Sequence, residues 1–73
     1  MKIDKLADQF HKEYKPAFEK VGNNLAVGIG LDPKTGADTI EVRLTNNKLK
    51  STLPSDYHGV KVNVLVVGVI RAL

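Results

Sequence analysis

The reactive or ligating side chains of this chain are few: His11, Tyr14, Ser51, Ser55, Asp56, Tyr57 and His58. The run Ser55-Asp56-Tyr57-His58 contains the residue types of a nucleophile, an acid and a base. A catalytic set of that kind must converge on one reacting atom from separate elements, and neighbours in one loop cannot. Pro54-Ser55-Asp56 therefore reads as a turn. His11 lies between Phe10 and Lys12 on a helix flank, where a solvated imidazole is expected. Two distant histidines and no cysteine do not make a metal site. Asp32 and Asp38 lack the ligand number of a calcium loop, and turn chemistry explains them better. No catalytic, cofactor-binding or metal-ligating residue is assigned, no cofactor is expected, and an enzyme is the least favoured class.

The elements that carry these residues follow from periodicity. Ile3, Leu6, Ala7, Phe10, Tyr14, Ala17, Phe18 and Val21 recur at helical spacing, with a charged face between them, and predict an amphipathic helix over the first twenty or so residues. Gly22-Asn23-Asn24 is its stop signal. Pro16 removes a backbone donor and crowds the carbonyl of Lys12, so a kink or break is expected near Tyr14–Lys15. The apolar phase is kept across Pro16, which favours one bent helix. From Leu25 the period becomes 2: Leu25, Val27, Ile29 and Leu31 alternate with Ala26, Gly28, Gly30 and Asp32. Asp32-Pro33-Lys34-Thr35-Gly36 carries turn chemistry, and Thr39–Thr45 alternates again, giving a hairpin. A polar connection from Lys48 to Gly59, anchored by Leu49 and Leu53, leads to a last strand from Val60 to about Val67. The expected fold is a single α+β domain over residues 1–73, an N-terminal helix on a three-stranded, mainly antiparallel sheet (αβββ) in two layers.

Length and charge limit the partners. The 73 residues are 42% hydrophobic and 26% charged, which excludes a disordered tail or a low-complexity chain. A core this small leaves a narrow margin of stability, and no disulfide can widen it. The net charge of +3 is thinly spread: five lysines and four acids in residues 1–23, six basic residues and four acids in residues 24–73. No basic run reads as a phosphate stripe. Met1-Lys2-Ile3-Asp4-Lys5 does not resemble a signal peptide, and Val64–Ile70 is too short to span a bilayer, so a cytoplasmic protein with no membrane partner is expected.

Two surfaces demand an explanation. The small residues Ala26, Gly28 and Gly30 leave one face of the first strand without bulk, each glycine costing about 0.5–1 kcal/mol relative to alanine. Close packing of the helix or of a neighbouring backbone is the favoured reason, and an external docking partner the other. Gly28-Ile29-Gly30 opens no helix and is a poor dinucleotide loop. On the last strand, Lys61 and Asn63 are polar as an outer face should be, but Leu65, Val67 and Val69 continue the same parity and are apolar. With Val64 and Val66 pointing inward, residues 64–67 require burial on both faces. Covering two such side chains is worth roughly 3–5 kcal/mol. A subunit interface of Leu65, Val67, Val69, Lys61 and Asn63 is therefore expected. The competing expectation is that the C-terminal residues 69–73 or the 48–58 connection fold over them.

Asn24-Leu25-Ala26-Val27-Gly28-Ile29-Gly30, Thr39–Leu44, Leu53-Pro54 and Gly59-Val60-Lys61-Val62-Asn63-Val64 through Gly68, preceded by an amphipathic helix, resemble a small αβββ accessory segment. That segment precedes the trypsin-like domain in some bacterial proteins. The resemblance spans nearly the whole chain and rests on strand and glycine patterns; it carries over no catalytic residue and implies an accessory module standing alone.

The favoured function is a non-catalytic, self-associating interaction module, with itself as partner in a homodimer or higher oligomer. The alternatives are a regulatory or inhibitor-like partner of an enzyme, docking by strand addition, and a weak nucleic-acid binder. The last would use Arg43, Lys61 and Asn63, yet no aromatic residue shares their face for bases to stack on.

Overall fold

The computed structural model describes residues 2–68. Helix α1 (Ile3–Lys20) runs without interruption, with Leu6, Ala7, Phe10 and Phe18 buried along one stripe and Pro16 exposed within it. Continuity of the apolar stripe across Pro16 holds one helix where the missing donor would favour two. The helix stops in a Schellman motif. Gly22, at φ +71°, takes the left-handed position, its N–H donates to Glu19 O (3.0 Å), and Asn23 N–H donates to Phe18 O (2.9 Å).

Strand β1 (Leu25–Leu31) pairs antiparallel with β2 (Asp38–Leu44) over its full length, from Leu25 opposite Leu44 to Leu31 opposite Asp38. The loop between them is fixed by its own polar atoms: Asp32 Oδ1 accepts from Lys34 N–H (2.8 Å), and Gly36 N–H donates to Asp32 O (2.7 Å). This is the expected turn chemistry of that aspartate.

The sheet differs from the expected three-stranded, mainly antiparallel one. It has four strands in the order β1-β2-β4-β3 and is mixed, with β2 parallel to β4 (Val60–Val66), from Ile40 opposite Val62 to Leu44 opposite Val66. A parallel neighbour needs a crossover of a dozen or more residues, and the segment from 45 to 59 supplies it. That segment contains a short 3-10 turn (Lys50–Thr52) and a two-residue strand, β3 (Asp56–Tyr57), antiparallel to β4. Asp56, expected in a turn with Pro54 and Ser55, instead opens β3. His58 (φ +51°) and Gly59 (φ +83°) make the tight turn, both left-handed as a twist-compatible two-residue hairpin requires. Asp56 Oδ2 accepts the Gly59 N–H (3.2 Å). Of the two expected anchors in the crossover, Leu53 packs against the core and Leu49 is exposed.

The helix covers one face of the sheet at β1 and β2. Phe10, Phe18, Leu25, Ile40, Val42, Leu44, Tyr57 and Val62 form the centre of the core. Tyr57 reaches it from β3: its ring meets Phe10 edge-on at 5.0 Å, and Phe10 lies 4.6 Å from the Tyr14 ring. The Tyr57 hydroxyl donates to Glu13 Oε1 (3.3 Å), so the crossover is attached to the helix by a ring and a hydrogen bond together.

Asn23 is fully buried and joins the two ends of the fold. Its amide nitrogen donates to Asn46 O (3.1 Å) and Lys48 O (2.8 Å). Its carbonyl oxygen accepts from Thr45 N–H (3.0 Å), Asn46 N–H (3.3 Å) and the Thr45 hydroxyl (3.2 Å). The residue leaving α1 is thereby locked to the segment leaving β2.

Replacing Asn23 by alanine strands buried backbone donors and acceptors at once, and is expected to destabilise the chain by about 2–4 kcal/mol, measured by denaturant unfolding. The alkaline limb of stability should depend on the tyrosines. Burial first, and the Glu13 carboxylate second, push the Tyr14 and Tyr57 hydroxyls above their usual pKa. The folded chain therefore holds these protons more tightly than the unfolded one. That stability is complete below the ordinary tyrosine value, about pH 10, and is lost as pH rises through the raised folded values. Tyr57→Phe should flatten the fall in melting temperature above pH 10; an unchanged slope would exclude Tyr57 as its source.

Candidate interaction surface

The side chains that alternate with the core form the opposite face of the sheet, and no second layer covers it among the described residues. Across that face Ala26 lies beside Arg43, which lies beside Leu65; one row further on, Gly28 lies beside Glu41, which lies beside Asn63. Lys61 precedes Asn63 on β4, and Val67 extends the parity of Leu65. The Val67 N–H donates to Leu44 O (2.9 Å), so the β2–β4 ladder continues one step past β4 and fixes Val67 as well.

Four of the five residues expected at an interface, Lys61, Asn63, Leu65 and Val67, are thus placed on one surface. Leu65 is 59% exposed and Val67 44% exposed, while Val64 and Val66 are half-buried against the core. Lys61 and Asn63 are exposed on the same face. Val69 lies outside the described residues. The 48–58 connection, one of the two covers considered for this apolar strip, carries Tyr57 to the helix side and leaves Leu65 open. The other, residues 69–73, also lies outside the described residues.

Electrostatics on the face are nearly self-neutralised. Arg43 Nη2 stands 3.8 Å from Glu41 Oε2, and Lys61 Nζ 3.8 Å from Asp32 Oδ2. Exposed pairs at this distance contribute at most about 1 kcal/mol, but they leave neither cation without an acidic neighbour. That argues against a phosphate-binding stripe. Arg43 borders three shallow depressions of about 230, 330 and 380 Å³, over Ala26 and Gly28, over Asn63 and Leu65, and at the Leu44–Val67 end.

The small residues of β1 have a different cause from the one favoured in the sequence. The helix lies on the other face. A Cβ added at Gly28 would meet nothing within 4 Å, whereas one added at Gly30 would collide with the Glu41 carboxyl group. Glu41 folds over Gly30, so close approach holds at Gly30 alone and involves a side chain rather than backbone or helix. Beside it Thr39 is buried, its hydroxyl without a partner among the described residues.

The remaining candidates are dispersed. His11 is half-buried on the helix; Ser51 and Ser55 are exposed in the crossover; His58 occupies the β3–β4 turn with its ring edge-on to Tyr57 at 4.5 Å. Asp56 is engaged in the same turn. Among the described residues no three histidine, aspartate or glutamate side chains gather as metal ligands, and no described helix is long and apolar enough to cross a membrane. The alternation of Lys61, Asn63, Leu65 and Val67 was sufficient to find the apolar half of the surface. The Glu41–Gly30 overlap had no signal in the sequence, because it depends on the β1–β2 register.

Compared with protein-family models, with curated proteins and with solved structures, the chain matches none.

Proposed function

We propose that the chain is a non-catalytic interaction module that self-associates through the outer face of its sheet. The observation that carries this reading is the pair Leu65 and Val67, exposed side by side on a face with no covering layer among the described residues. In a chain of this size their burial, worth roughly 3–5 kcal/mol, is comparable with the stability of the whole domain. A two-fold contact of this face with its copy buries the strip against itself and leaves Lys61 and Asn63 at the polar rim. The scattered histidines, serines and tyrosines support no competing chemistry.

Light scattering after size exclusion tests the reading. The native chain is expected to run as a dimer or larger species at high micromolar concentration, with Leu65→Lys and Val67→Lys each shifting it to a smaller species. A monomeric native chain, together with unchanged stability in Leu65→Lys, would refute it.

A further inference from the structure

A second surface lies apart from Leu65 and Val67: the free edge of β1. In the order β1-β2-β4-β3 strand β1 is terminal, and among the described residues nothing pairs with its outer side. Its seven residues, Leu25-Ala26-Val27-Gly28-Ile29-Gly30-Leu31, include no charge and no proline, the devices by which edge strands are normally kept apart. Ile29 and Leu31 are 46% and 64% exposed on the helix side of the sheet.

The register identifies which backbone groups are free. Asp32 N–H donates to Ala37 O (2.8 Å) as the β1–β2 register runs on into the loop. The even residues of β1 thus hold the ladder to β2, and alternation turns the N–H and C=O of Leu25, Val27, Ile29 and Leu31 outward.

We propose that β1 pairs antiparallel with β1 of a second copy of this chain, about a two-fold axis at Gly28, joining two four-stranded sheets into one. This register places Val27 opposite Ile29 of the copy and Leu25 opposite Leu31, all on the helix side, so both exposed side chains gain apolar neighbours. On the other face Gly28 meets itself and Ala26 meets Gly30 of the copy. The Glu41 carboxylate already lies over Gly30. Across the junction it faces the Arg43 that flanks Ala26 of the copy, and the two-fold repeats the arrangement. Charge complementarity is thus satisfied twice, across a trough that stays open because Ala26, Gly28 and Gly30 are small. The three small residues, costly inside a strand, gain a reason.

Cysteine cross-linking tests the register in a chain that has no cysteine of its own. Gly28 opposes itself as a non-hydrogen-bonded pair, with Cα atoms about 4.5 Å apart, inside the range a disulfide spans. Ala26 and its copy lie about 14 Å apart, four residues along the strands, and cannot be bridged. Gly28→Cys should form an interchain disulfide at least about tenfold faster than Ala26→Cys, including in a Leu65→Lys background, which removes the outer-face contact. Ile29→Lys should weaken the association at least about tenfold by placing a charge at the edge. In the unmodified chain the Val27 and Ile29 amides should exchange at least about tenfold more slowly once the protein is concentrated enough to associate. Equal cross-linking of the two cysteine variants overturns the proposal, as does loss of the Gly28 cross-link with Leu65→Lys, indifference to Ile29→Lys, or exchange independent of concentration.

Discussion

The amide of Asn23 is the constraint on which the arrangement depends. It is the first residue beyond the glycine that ends α1, and it engages the backbone of Thr45, Asn46 and Lys48 just beyond β2. One side chain therefore fixes the end of the helix, the start of β1 and the direction in which the chain leaves β2. A buried primary amide is costly when unpaired, and here both its donors and its acceptor are used. The departure it fixes begins the crossover that returns the chain to lie parallel to β2. Without that return β4 would not bring Lys61, Asn63, Leu65 and Val67 onto the face that already carries Glu41 and Arg43.

The two faces of the sheet are treated differently by the same alternation. On the helix side the aromatic group Phe10, Tyr14 and Tyr57 closes the core, and β3 exists chiefly to deliver Tyr57 to it. On the other side the chain offers small residues, two ion pairs and an apolar strip.

Much of this was readable from residue order. The helix spacing from Ile3 to Phe18, the Gly22 stop, the hairpin of Leu25–Leu31 with Ile40, Val42 and Leu44, and the outward parity of Leu65 and Val67 all follow from local periods. Strand β3 did not, because two residues carry no period and Asp56-Tyr57 follows a proline that signals a turn. Nor did the parallel pairing of β2 and β4, since strand direction depends on where the crossover goes, and its first residues are held by long-range bonds of Asn23. The contrast between Gly28, where an added Cβ would meet nothing, and Gly30, covered by Glu41, needs the register and not the composition.

The aromatic grouping has a practical corollary for spectroscopy. The chain has no tryptophan, and its two tyrosines both lie in the helix-facing layer, one of them on the helix itself. Its near-ultraviolet absorption and emission therefore come almost wholly from these two rings, and its near-ultraviolet dichroism reports the docking of α1 and β3. Such signals follow unfolding faithfully and are nearly blind to contacts made on the opposite side of the sheet.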